Sequence, residues 1–422
     1  MMAKFSRVAV SELVAAGEAE LKTGPFGTQL KASDYIEKGT PVINVRNIGF
    51  GGIKADKLEY ISLSTRDRLS SHILQRNDIV FGRKGAVERH VFIREEQDGW
   101  FQGSDCLRLR FTSPRVEPLF ASYFFLTPEH QRWMMNQCSH GATMASLNQE
   151  ILERIELPLP PLPVQRRIAG ILSAYDELIE NNQRRIKILE EMARSLYREW
   201  FVHFRFPGHD KVKMVPSPLG PIPEGWNHVC IDDVCGLVTD GSHSSPKSVD
   251  EGLPMASSKD MHDWGLNLDT CRHISREDFD QLVRNGCKPQ KNDVLITKDG
   301  ANYLKHIFAM REELELVLLS SVAILRPNKR INPHLLTAIL SAPENKDRLK
   351  NYVTGAAIPR IILSDFKQFQ IVLPSQEVQG AWAKIGEPIT QLCWRLIDQI
   401  TNLRRTRDLL LPRLLSGQVH LP

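Results

Sequence analysis

The chain repeats itself once, at a spacing of about half its length. Pro41–Ile43 and Pro254–Ala256 open similar segments 213 positions apart. The spacing persists from Asn47 to Asp260, from Gly52 to Gly265, and from Tyr60–Ser62 to His273–Ser275. Asn77–Val80 answers Asn292–Leu295 at 215, and both run to a glycine in the same register, Gly85 and Gly300. Gly141-Ala142 answers Gly355-Ala356, and Val164-Gln165 answers Val378-Gln379, each at 214. Chance does not keep such a register. The period lies far beyond the ~20–50 residues of solenoid repeats, so it marks a duplicated domain rather than an array. The full 422 residues are also too many for one ordinary core.

Each half has the same internal order. Val42–Val45, Asp78–Phe81 and Cys106–Phe111 carry β-branched or alternating apolar residues between Gly, Asn and Asp punctuation, which predicts strands. Asp293–Thr297 and Ser321–Leu325 match them, and short helices are expected over 118–126 and 333–340. Each half then ends in a long heptad pattern. The first seam runs through Ile168, Ile171, Tyr175, Leu178, Leu189 and Leu196, with Asn182 and Arg185 as its polar positions. Displacing the first seam by 214 gives a second one, through Ile385, Ile389, Leu392, Leu396, Leu403 and Leu410. A 3.5-residue repeat held this long reads as a coiled-coil seam rather than a core helix of ~11–12 residues. Pro388 predicts that the second helix starts late or kinks, and Pro412 that it ends near Leu411 or bends. Between the halves, the Pro/Gly stretch 207–223 reads as a linker.

Catalytic motifs are not found. There is no Walker A loop, HExxH or GxSxG string, and Gly49–Gly52 reads as a turn. Ser244–Lys247 contains SxxK by coincidence, in a Pro/Ser loop without supporting motifs. No acidic cluster suits Mg²⁺, and no Asn/Asp-Pro-Pro-aromatic string of amino-methyltransferases occurs. The seven cysteines lack metal-ligand spacing and read as reduced, buried thiols of a cytoplasmic protein. No segment suggests a membrane span or a targeting signal. A net charge of +4 permits nucleic-acid binding without arguing for it. What argues for it is pairing across the repeat. Arg83-Lys84 precedes Gly85 as Lys298 precedes Asp299-Gly300, and Arg46 matches Lys259. Cations at equivalent loop positions suit phosphate and base-edge contacts. For any one of them, solvated surface charge is an equally good explanation. The competing readings are a stand-alone nuclease or methyltransferase and a structural coiled-coil protein.

Several stretches resemble the specificity subunits of type I restriction–modification systems. Pro216–Trp226 is similar to that family's lead into a target-recognition domain, and Pro41–Ile48 and Leu253–Met261 to its early strand and turn. Leu157–Ile168 resembles its lead into a conserved helix, and Leu409–Gly417 its C-terminal end. Leu373–Glu377 departs from the pattern in having a single proline. The resemblance implies an α+β chain: two pseudo-repeated mixed α/β target-recognition domains (1–157 and 224–373) joined by two long antiparallel coiled-coil-like helices (158–206 and 374–418). It implies a bipartite, asymmetric DNA site, one half per domain, with the helices setting the gap. It further implies no catalytic residue and no cofactor or metal site in this chain. S-adenosylmethionine would belong to modification subunits, and ATP and Mg²⁺ to restriction subunits.

Overall fold

The computed structural model describes residues 5–138, 145–218, 220–355 and 359–419. The repeat pair Gly141-Ala142, and Ala356 of its counterpart, lie outside them. Two compact units emerge, Met1–Asn181 with Gln399–Pro422, and Asn182–Asp398.

In the first unit a five-stranded sheet runs in the order Ala19–Thr23, Cys106–Phe111, Ile79–Gly82, His90–Phe92, Phe50–Gly51. The first four strands pair antiparallel and the last is parallel. Both faces of its centre are buried, so the alternation sorts residues between two cores. Ile79, Phe81, Leu107 and Leu109 face the helix Pro118–Phe125, while Val80, Cys106 and Val91 pack on Ile43, Ile48 and Leu74. The second unit repeats the order with Cys235–Asp240, Val322–Pro327, Val294–Thr297 and Ile307–Ala309. Register is preserved: Ile79 pairs with Leu109 as Val294 pairs with Leu325.

One turn recurs in both units. Asn77 and Asn292 take left-handed backbone at φ 73° and 70°, a region that asparagine tolerates better than most residues. The next residue, Asp78 or Asp293, is fully buried. Each accepts the backbone N–H three residues back, from Gln75 or Gln290, at 2.8 Å. Each also takes a two-pronged arginine from the neighbouring strand. Arg110 donates to Asp78 at 2.6 and 2.7 Å, and Arg326 to Asp293 at 2.8 Å through both nitrogens. The planar fork matches a carboxylate, so turn and sheet are joined by charge-assisted bonds.

The first long helix spans Leu162–Tyr197 and ends in a π turn over Arg198–Val202; the second spans Gln376–Leu415. A buried glutamine fastens the start of each. Gln165 accepts from the Glu117 backbone at 2.9 Å and donates to the carbonyls of Arg115 and Pro160, both at 2.8 Å. Gln379 repeats this with Asn332, Arg330 and Pro374. Within the first unit the helices run antiparallel. Ile168 and Leu172 share a core with Leu411 and Leu414, and further along Asp176 pairs with Arg407. Within the second unit Phe201 meets Trp382 edge-on.

Three expectations are corrected. The second helix starts at Gln376 and runs on through Pro388 and Pro412 to Leu415, so it neither starts late nor ends near Leu411. Pro388 and Lys384, whose carbonyl loses its partner, both lie on an exposed face where water can satisfy that oxygen. The buried line also departs from the strict heptad. Leu178 and Ile385 are 50% and 44% exposed, while their neighbours Ile179 and Gly386 are buried. A helix of 3.6 residues per turn drifts off a seven-residue repeat by ~20° each heptad, which carries these positions outward. Lastly, the stretch 207–223 holds a two-stranded pairing, Met214–Val215 with Ile222–Pro223, and Ile222 is buried in the second unit's core.

Asp78→Ala leaves the Arg110 fork without its carboxylate and should destabilise the first unit by roughly 3 kcal/mol. Hydrogen exchange should quicken in peptides spanning 79–125 and not in 294–340, with Asp293→Ala showing the reverse. A second prediction concerns acid. His90 and His130 are buried, and burial pushes both down to about 3 from the ordinary 6.5. Because the folded state holds them neutral, their stabilisation is complete above pH 6.5 and is lost as pH falls towards 3. Exchange in 79–125 should therefore accelerate between pH 6.5 and 5, after correction for intrinsic rates, and replacing both with Phe should flatten that dependence.

Candidate nucleic-acid interface

At one end of each central sheet four segments converge, drawn together by contacts that leave no room for side chains. In the first unit a Cβ on Gly24 would lie 2.0 Å from the Gly103 carbonyl, and one on Gly103 would lie 2.3 Å from Asn44. The Arg83 backbone N–H donates to Asp105 at 2.9 Å. Segments 24–27, 44–46, 83–85 and 103–105 are thus neighbours. In the second unit the Gly241 Cβ would lie 2.2 Å from the Leu318 carbonyl, Ser258 donates its N–H to Ser321 Oγ at 3.0 Å, and Lys298 donates its N–H to the Ser321 carbonyl at 2.8 Å. Segments 241–244, 257–259, 298–300 and 319–321 repeat the arrangement.

The expected cations all lie on these segments. Arg46 is exposed and pairs with Glu59 at 2.8 Å. The next residue, Asn47, is buried and donates to the carbonyls of Lys54 and Asp56, which shapes the turn that presents Arg46. Asp260 does this work after Lys259, accepting the Ser257 N–H at 2.8 Å, and Lys259 itself is exposed. Gly85 and Gly300, at φ 77° and 79°, turn the cationic loops back, and their N–H groups donate to Ala145 and Pro359. Lys84 is exposed and lies 3.5 Å from Asp105. The Arg83 guanidinium lies over the Phe26 ring at 4.9 Å from its centroid, with Phe26 54% exposed.

Lys298 differs from its counterpart and corrects the expectation of an open loop cation. It is 6% exposed, and its ammonium lies 2.9 Å from Asp240 and 3.6 Å from Asp299. Strand register puts Asp240 where the first unit has Thr23, since Thr23 pairs with Leu107 as Asp240 pairs with Ala323. A carboxylate at that place draws the lysine inward. His243 reaches the same Asp240 at 3.2 Å from the exposed side.

Sequence reasoning missed the loops after Gly24 and Gly241, which bring Phe26 and His243 to the site. These glycines stand 217 positions apart, outside the 213–215 register, because the second unit is shorter between this loop and the next strand, 13 positions from Gly241 to Pro254 against 17 from Gly24 to Pro41. A second cation–ring pair, half-buried Arg89 over exposed Phe50 at 5.1 Å, was also not anticipated. Among the described residues no group of three or more His, Cys, Asp or Glu side chains could hold a metal ion. No helix of the described residues is long and apolar enough to cross a membrane.

Comparison with known proteins places this architecture. The family described as "Type I restriction modification DNA specificity domain" matches residues 25–191 and again 223–403. The chain is 27% identical to the putative type I restriction enzyme MjaX specificity subunit of Methanocaldococcus jannaschii, over 90% of this chain and 87% of that one. It is 26% identical to the type I restriction enzyme EcoBI specificity subunit of Escherichia coli, over 91% and 80%. The crystal structure of a type I restriction–modification system S subunit from M. genitalium shares the fold, with a TM-score of 0.61 at 15% identity, covering 99% of this chain and 96% of that one. With two copies of the matching domain across most of its length, the chain belongs to the type I restriction–modification DNA specificity family.

Proposed function

We propose that this chain is the DNA sequence-specificity subunit of a type I restriction–modification complex, and that the convergent loop end of each unit reads one half of a bipartite, asymmetric double-stranded site. One observation carries the reading: the same four-segment end is built twice with different side chains at equivalent places. Arg83 on an exposed phenyl ring and Lys298 held by Asp240 present different chemistry on one frame. Two frames alike in backbone and unlike in side chains suit two unlike half-sites.

In this reading Arg46, Arg83, Lys84 and Lys259 make phosphate and base-edge contacts, and Lys298 acts by placing Asp240 and His243. The recognition domains span 1–157 and 224–373, and the helices over 158–206 and 374–418 hold the gap between half-sites. Chemistry falls to partners in the cytoplasm. Modification subunits supply S-adenosylmethionine-dependent adenine methylation, and restriction subunits supply ATP- and Mg²⁺-dependent cleavage. This chain then needs no catalytic residue of its own.

Arg83→Ala should relax one half-site and spare the other, at a cost of about 1–3 kcal/mol if the fork contacts a base edge. Sequencing of methylated adenines in cells expressing the chain with its modification subunit reads this directly. Equal weakening at both half-sites would assign Arg83 to phosphate contact or to folding. A four-residue insertion beside Asn182, about one helical turn, should change the gap and leave both half-sites intact; an unchanged gap would overturn the spacer role.

A further inference from the structure

One cavity of the second unit has no part in the reading above. It holds about 360 Å³ and lies where the helix Pro333–Ser341 meets the strand Ile307–Ala309 and the long-helix segments of that unit. The internal repeat explains why it is open. In the first unit the Tyr123 hydroxyl donates to Asp176 at 2.7 Å, and Arg407 closes on the other carboxylate oxygen. The repeat register puts Ala338, Thr390 and Ala193 in these three places, and all three line the cavity. Strand pairing adds a fourth truncation. Phe92 lies opposite Ile79 where Ala309, another lining residue, lies opposite Val294.

The space left by four shortened side chains has walls suited to a ligand. Trp264, Trp382 and Trp394 surround it. The Trp264 ring is fixed by its N–H donating to Glu190 at 2.8 Å. The Trp382 indole N–H is buried without a hydrogen-bond partner, although buried indoles normally find one. Charge at the rim is unevenly committed. Glu190 is engaged by Trp264 and Arg194, and Asp263 by His306 at 2.7 Å, while Glu344 stands exposed. Lys346 is half-buried, and its ammonium makes no ion pair among the described residues. Burial lowers its pKa, and Arg194 adds to the effect while Asp263 opposes it. Lys305 and Arg198 add further positive charge to the lining.

We propose that this cavity binds a small planar aromatic anion, with its ring among the three tryptophans and its anionic group on Lys346 and Arg194. A pocket of this size that combines aromatic walls with polar groups able to fix a ligand's orientation has the make-up of a small-molecule site. Seated there, the ligand joins the helix Pro333–Ser341 to the long helices, as the Tyr123, Asp176 and Arg407 cluster does in the first unit.

The test titrates the full chain with indole-3-acetate and with neutral indole, by calorimetry and ligand-observed NMR. Indole-3-acetate should bind saturably at one site. Lys346→Gln should weaken it by about tenfold and change indole by less than about twofold. Ala338→Tyr, which puts back the phenol of the first unit, should abolish binding of both in protein whose circular dichroism is unchanged. Absence of saturable indole-3-acetate binding overturns the proposal, as does binding that survives Ala338→Tyr. If Ala338→Tyr does not fold, Lys346→Gln decides, and equal loss for the two probes counts against the site.

Discussion

Each unit is organised around a carboxylate taken wholly out of water. Asp78 and Asp293 have no exposed surface, and an ionised group in that position is costly unless it is paired and hydrogen-bonded. The structure supplies three charge-assisted or backbone bonds to each, a backbone N–H across the turn and a two-pronged arginine from the adjacent strand. The left-handed asparagine before each aspartate makes that turn possible. Strand order, register and the position of the cationic loop just beyond the strand all follow from where the pair sits. Two such pairs, one per unit, explain how the halves keep one frame while most of their side chains differ.

This dependence also decides what could be read in the sequence. The Asn-Asp turn, the glycines that follow and the buried glutamines recur because their backbone geometry or bonding admits few substitutes, and so the repeat was visible. The arginines were not singled out, since Arg110 and Arg326 look like ordinary alternating strand residues until the carboxylate opposite is known. The heptads announced two long helices, but the strict 3.5 spacing put Leu178 and Ile385 on the buried line, where a nearly straight helix exposes them. The prolines misled for a related reason. A missing N–H breaks a helix when the orphaned carbonyl is buried and is tolerated when it faces water.

The candidate interface was half legible. Equivalent cations at Arg46 and Lys259, and at Arg83 and Lys298, pointed to the right loops. Whether a given cation is free depends on a strand residue far away in sequence, Asp240 in one unit and Thr23 in the other. No local pattern contains that information. The same holds for Phe26, whose role arises only when Gly24 lets its loop lie against Gly103.

The glutamine anchors have a bearing on how such a chain can change over time. Gln165 and Gln379 hold their helices to the preceding domain through main-chain atoms alone, two carbonyls and one amide each. Such a joint is indifferent to the side chains it grips. The loops that meet DNA in the proposed reading can then be rewritten, or a whole domain exchanged for another of the same frame, and the helix will find the same three partners. Specificity becomes the replaceable part of the molecule and attachment the permanent one.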